Sequence, residues 1–215
     1  MTRGVFVTFE GGEGTGKTTQ MALLAARLTE AGFAVTLTRE PGGTALGSEI
    51  RRFLVCHTID PPVPDAELLL YGADRAQHVA KVVRPALEKG GAVLCDRYAD
   101  ATVAYQGGGR MLDQELIALV NRAATGGLIP DRTILLDLEP GRGVIRALGR
   151  EGGDSDETRF EEEGSPFHDR VRAAYLGIMA REPGRVRFVD ASGTVAEVAD
   201  RVWREVEDLF PRTDR

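Results

Sequence analysis

Residues 11–18, Gly-Gly-Glu-Gly-Thr-Gly-Lys-Thr, constrain this chain more than any other stretch. They satisfy G-x-x-x-x-G-K-[ST] in full, follow the apolar run Gly4–Phe9, and open a segment of helical periodicity, which is the context the motif requires. Glycines let the backbone wrap around phosphates with its N–H groups pointing inward, and the N-terminus of the following helix adds a favourable dipole for anions. The alternative reading, a tight turn without a ligand, does not account for the lysine. Of 27 basic residues only Lys17, Lys81 and Lys89 are lysines, so one at this position stands out against an arginine-rich background.

The rest of the chain repeats the alternation of strand and helix. Apolar and β-branched runs at Gly4–Phe9, Ala34–Thr38, Ala92–Cys95, Thr133–Leu138 and Val186–Val189 read as five buried strands. Between them, Thr18–Ala31 carries Met21, Leu24, Ala25 and Leu28 on one helical face. Ala66–Leu87 reads as a long helix opened by Asp65 and bent or ended at Pro85. Another helix follows Asp113, and the last is opened by a capping box, Thr194 to Glu197. Strands alternating with helices imply a parallel sheet covered on both faces. The expected fold is therefore α/β, a P-loop NTPase fold with a five-stranded parallel sheet flanked by helices. At 215 residues and 42% apolar content, one domain spanning 1–215 is expected.

Composition narrows the function. A net charge of −6 argues against a general nucleic-acid binder, whose surface must neutralise phosphates. No apolar run approaches the roughly 20 residues that span a bilayer, and the N-terminus has no secretory signature, so a soluble cytoplasmic protein without a membrane partner is expected. Cys56 and Cys95 have neither the spacing nor the histidine companions of a zinc site. ATP is the expected nucleotide, held by Gly11, Gly12, Glu13, Gly14, Thr15, Gly16, Lys17, Thr18 and Thr19. Lys17 supplies charge to the β and γ oxygens, and the Thr18 hydroxyl is placed for Mg²⁺. The loop alone does not separate kinases from other NTPases, although the chain lacks an Asn-Lys-x-Asp guanine element.

Further stretches carry a resemblance. Phe9-Glu-Gly-Gly-Glu13, Thr38-Arg-Glu-Pro-Gly-Gly-Thr44, Tyr71-Gly-Ala-Asp-Arg75-Ala-Gln, Asp96-Arg97-Tyr98 and Ala104-Tyr-Gln-Gly-Gly-Gly-Arg110 resemble, in order, the thymidylate kinase family. The resemblance implies ATP-dependent phosphorylation of dTMP to dTDP. It places Arg97 on the acceptor phosphate, and Asp96 near Mg²⁺ and Lys17. Tyr71 would stack on thymine, Arg75 donate to O4, and Thr102 face N3. Tyr105 would crowd the sugar 2′ position, Glu13 read the 3′-hydroxyl, and Arg51 bind the acceptor phosphate. Arg39, Pro41 and Gln106 complete the implied dTMP set. Ala101 stands where the family often has serine.

The loop residues Gly12-Glu13-Gly14-Thr15 contain no arginine. In this respect the chain resembles the bacterial form of the family, in which lid arginines act on the transferring phosphoryl group. The polar stretch around 146–160 is the expected lid, with Arg150 ranked first, Arg146 second and Arg159 third. The family resemblance also implies a homodimer. Two other functions stay open at this point: a different nucleoside monophosphate kinase, and a non-catalytic P-loop protein that only binds ATP.

Overall fold

The computed structural model describes residues 3–56, 60–138, 159–160 and 162–211. All five expected strands form, each shifted by a residue at most at either end: β1 Val5–Glu10, β2 Val35–Arg39, β3 Ala92–Asp96, β4 Arg132–Asp137 and β5 Val186–Asp190. They build one parallel sheet in the order β2-β3-β1-β4-β5. Strand β1 is central, with β3 and β2 on one side and β4 and β5 on the other, so the strand order reverses across it. Open α/β sheets bind ligands at the carboxyl edge near such a reversal. The register puts Phe9 and Arg39 opposite Asp96, so Glu10, the phosphate loop and the Asp96-Arg97-Tyr98 turn emerge together at that edge.

Successive strand residues point to opposite faces of the sheet. Val7, Phe9, Leu94, Ile134 and Leu136 pack against helices α1 (Lys17–Glu30) and α8 (Val195–Arg204), through Leu24, Leu28, Val198 and Val202. Phe6, Val93 and Cys95 meet Val79, Val83 and Leu87 on the other face. A third cluster, containing Leu54, Tyr105, Phe160, Phe167 and Tyr175, lies between α2 (Ala45–Val55), α7 (Ser165–Arg181) and the segment after Tyr98. It walls the cavity described below. Among the described residues, no helix is long and apolar enough to cross a membrane.

The long helix expected over Ala66–Leu87 is interrupted rather than ended. It runs as α3 (Pro64–His78), widens into one π-type turn over Val79–Val83, and resumes as α4 (Arg84–Glu88). Pro85 falls in the first turn of α4, where a missing N–H does little harm, so the proline opens a segment instead of closing one. After the short α5 (Ala99–Thr102), a second wide turn covers Val103–Gly109, with Arg110 N–H donating to the Tyr105 carbonyl at 2.8 Å. Its glycines permit close packing of α7: a Cβ on Gly109 would lie 2.4 Å from the Phe167 ring. Helix α6 (Gln114–Thr125) is capped by Asp113, as its sequence implied. Arg146 and Arg150 of the expected lid lie outside the described residues.

Candidate active site

The phosphate loop has the backbone its glycines make possible. Gly11 has φ +133°, and a Cβ there would stand 2.1 Å from the Leu136 carbonyl oxygen, so no other residue fits. Thr15 Oγ1 donates to the Gly12 carbonyl at 3.0 Å, bracing the loop from within. Lys17 is buried, and its Nζ donates to the carbonyls of Gly12 (2.8 Å) and Gly11 (3.2 Å). Thr18 Oγ1 donates to Asp96 Oδ2 at 3.0 Å across the edge of the sheet. These two oxygens are hard donors of the kind Mg²⁺ takes when phosphates and water fill its remaining positions. Among the described residues there is no cluster of three or more His, Cys, Asp or Glu that could hold a metal ion.

Beside the loop lies a cavity of about 100 Å³. Nine of the ten residues expected around dTMP line it: Glu13, Pro41, Arg51, Tyr71, Arg75, Arg97, Thr102, Tyr105 and Gln106. The tenth, Arg39, lines the adjoining groove with Thr18 and Asp96. Arg51 Nη1 donates to the Pro41 carbonyl at 2.9 Å, across the turn that contains the cis Glu40–Pro41 peptide. Tyr71 and Arg75 do share one helix face. Arg75, however, is 1% exposed, and its guanidinium bridges Glu40 Oε2 (2.8 Å), Asn121 Oδ1 (2.6 Å) and the Tyr98 carbonyl (3.0 Å). Glu40 is steadied in turn by His78, which spans Glu40 Oε1 at 2.8 Å and Thr38 Oγ1 at 2.6 Å. The buried hydroxyl of Thr102 has no hydrogen-bond partner among the described residues.

Arg97 joins the loop to this cavity. It is one of two non-glycine residues at positive φ (+67°) among those described. From there its guanidinium donates to Glu13 Oε1 (2.6 Å), Tyr105 Oη (3.0 Å), the Gly11 carbonyl (3.2 Å) and Tyr175 Oη (3.3 Å). Burial on its own would raise the pKa of Glu13. The charges of Arg97 and Lys17 and the Tyr105 hydroxyl outweigh it and hold the carboxyl at about 2. Glu13 is therefore a permanent anion between two cations. A simple strand-end pair of Asp96 with Arg97 does not describe the site, since Asp96 takes Thr18 and Arg97 takes Glu13.

Several residues here carry no signal readable from sequence. Glu67 is fully buried and accepts from Gln106 Nε2 (2.8 Å), Arg110 Nε (3.3 Å) and Arg159 Nη2 (2.7 Å). Arg159, the third-ranked lid arginine, also donates to the Leu54 carbonyl at 2.8 Å, so the structure holds it on α2 and α3. Phe160 lines the cavity beside it. Tyr175 reaches the phosphate loop from the middle of α7, at no recognisable motif.

The family model for thymidylate kinase matches residues 9–202, which include every site residue just described. This chain belongs to the thymidylate kinase family. Thymidylate kinase of Synechococcus sp. (strain JA-2-3B'a(2-13)) is 52% identical over 207 residues, covering 96% of each chain. That of Thermomicrobium roseum is 50% identical over 210 residues, covering 98% of each. The crystal structure of thymidylate kinase from Ehrlichia chaffeensis superposes with a TM-score of 0.77 at 31% identity, covering 94% of this chain and 98% of that one. The thymidylate kinase match thus spans loop, cavity and both flanking sheet faces together.

Proposed function

We propose that this chain transfers the γ-phosphoryl group of ATP to dTMP, giving dTDP and ADP. The observation that carries this reading is Arg97, whose guanidinium lines the acceptor cavity while touching Glu13 and Gly11 of the phosphate loop. One cation there serves both an acceptor phosphate and the donor's terminal phosphate. The acceptor monoester, with a second pKa of about 6, is already largely dianionic at neutral pH, so no general base is required. One acceptor oxygen forms the new O–P bond as the β,γ-bridging O–P bond breaks, and the electron pair leaves on ADP. The protein's work is positioning and neutralisation. Lys17 and the loop N–H groups hold the donor, Arg97 and Arg51 the acceptor phosphate, and Tyr71, Arg75, Thr102 and Gln106 the base. Tyr105 and Glu13 face the sugar. Mg²⁺, held by Thr18 and Asp96, neutralises charge on the donor phosphates when bound.

The whole chain is proposed to act as one cytoplasmic kinase domain, with 146–160 as its lid. An arginine supplied at the transition state is worth roughly 10³–10⁵ in rate. Arg150→Ala should therefore depress kcat by at least about a hundredfold while leaving the dTMP Kd unchanged; wild-type kcat in single alanine variants of Arg146, Arg150 and Arg159 would remove the lid from the mechanism. A homodimer is also proposed. Helices α2, α3 and α6 lie side by side and leave Phe53 (59%), Leu69 (60%) and Leu119 (56%) exposed, an apolar load that a second copy would cover. Light scattering should then give twice 23.2 kDa.

The deciding assay is ADP release with Mg-ATP against dTMP, dUMP, dCMP, dAMP and dGMP. Turnover highest on dTMP supports the proposal. Preference for another acceptor assigns a different monophosphate kinase, acceptor-independent turnover an ATP hydrolase, and absent turnover a protein that only binds ATP.

A further inference from the structure

Glu10 is a fully buried carboxylate next to the phosphate loop that lines neither the acceptor cavity nor the groove beside Thr18. Burying such a group costs free energy unless its oxygens are well satisfied. Its two oxygens have different partners. Oε1 accepts the backbone N–H of Tyr98 at 2.8 Å, and Oε2 accepts the Tyr175 hydroxyl at 2.7 Å. Both partners lead to Arg97. Tyr98 N–H belongs to the peptide that follows Arg97, whose φ of +67° is unfavourable for a side chain bearing a Cβ and persists only where surroundings fix it. The hydrogen bond from Arg97 N–H to the Phe9 carbonyl (2.9 Å) and the Glu10–Tyr98 bond fix the two peptides on either side of that residue. Tyr175 Oη, having given its proton to Glu10, presents its lone pair to Arg97 Nη1 at 3.3 Å.

We propose that Glu10 and Tyr175 are positioning residues for the acceptor step: together they hold the Arg97 backbone in its left-handed turn and aim its guanidinium between the phosphate loop and the acceptor cavity. The inference rests on the reading of Arg97 as the acceptor-phosphate ligand. Tyr175 belongs to α7, the helix that follows the proposed lid in the chain, so its hydroxyl ties that helix to the end of β1 and to Arg97.

The two hydrogen bonds that its oxygens accept are those of an ionised carboxylate at position 10, the form the folded protein holds above a pH of about 8. In Glu10→Gln the amide oxygen still accepts from Tyr98 N–H, but the amide nitrogen now donates towards Tyr175 Oη. That hydroxyl then faces two donors, and its own proton loses its acceptor. Tyr175→Phe removes the same link from the other side, with little change in volume. Glu10→Gln, Tyr175→Phe, the double variant and Arg97→Ala are compared by steady-state kinetics at about pH 9, above the value of about 8 at which Glu10 ionises in the folded protein, with ATP and dTMP varied separately and thermal unfolding followed in parallel.

The expected result is a roughly tenfold rise in dTMP KM for Glu10→Gln and for Tyr175→Phe, with ATP KM within twofold of wild type. The double variant should be no worse than the weaker single, because both remove one link. A rise in dTMP KM for Arg97→Ala alone, with the other two within twofold of wild type, overturns the positioning role and leaves the Arg97 reading intact. Equal losses for ATP and dTMP also overturn it, since they report general disruption. An unchanged dTMP KM in Arg97→Ala overturns the Arg97 reading and this inference with it. If Glu10→Gln fails to fold, Tyr175→Phe carries the same test.

Discussion

Lys17 rests its ammonium on the carbonyls of its own loop, at Gly12 and Gly11. Burial draws its pKa down and Arg97 adds to this, while Glu13, Asp96 and Glu10 oppose both. The charge is thus held by carboxylates rather than by solvent, and is available where phosphate charge must be met. Lys17→Ala should keep the fold and lower kcat at least about a hundredfold, as loss of one preorganised donor does; a folded variant with near wild-type turnover would contradict the role. Arg75 illustrates a different lesson. It stands four residues after Tyr71 in α3, but no local pattern shows that it is paired with Glu40, 35 residues earlier in the chain. Removing it strands a buried carboxylate, a loss of about 3–5 kcal/mol in comparable cases, so Arg75→Ala confuses stability with recognition. Thr102→Val is the cleaner probe of the base site. Its hydroxyl has no partner to lose among the described residues, so dTMP KM should rise about five- to tenfold while the melting temperature stays level or climbs. A fall in melting temperature with unchanged KM would give the hydroxyl a structural role instead.

At the scale of elements, what was legible is what local physics determines. The strands at the centre of the sheet announce themselves because both faces are buried, so they read as unbroken apolar runs. Helix α8 shows the same for caps: Thr194 and Glu197 make both halves of the capping box that their spacing implied. Thr194→Ala should cost about 1 kcal/mol in denaturant unfolding and leave both KM values unchanged, since α8 packs on the sheet away from the cavity. A change in KM would mean that this helix is coupled to the site. The two wide turns were not legible. A π-type turn inserts one extra residue per turn without any residue type that demands it, and is kept by packing that the local sequence does not display. Pro85 was consequently read as bending or ending the helix, and Gly107-Gly108-Gly109 as motif alone, although close packing against Gln114, Ala174 and Phe167 in turn explains the three glycines.

For the molecule as a whole, the motif residues were legible because phosphate and base chemistry restrict residue type. The groups that support them were not, because Glu10, Glu40, Glu67 and Tyr175 act through partners distant in the chain. Those buried carboxylates have a consequence for stability against pH. Burial first, then the charge of Asp100, lifts Glu10 to about 8, against the pull of Arg97 and the hydrogen bonds from Tyr175 and Tyr98. The folded state then binds a proton that the unfolded chain has released, between its ordinary pKa of 4.5 and about 8. The contribution of Glu10 to stability is fully present below 4.5 and is lost as pH rises through about 8, at most about 1.4 kcal/mol per pH unit. Asp74, raised to about 6 by burial and then by Glu40, acts in the same direction over a lower window. Glu13, held at about 2, acts in the opposite sense: its contribution is present above 4.5 and lost as pH falls towards 2. Stability should therefore peak on the acidic side of neutrality and decline towards pH 8. Urea unfolding between pH 5 and 9 tests this against Glu10→Gln, in which the ionisable group is gone but the Tyr98 hydrogen bond remains. The variant's curve should be flatter over pH 6–8, and curves of equal slope would show that Glu10 keeps its charge in the folded protein.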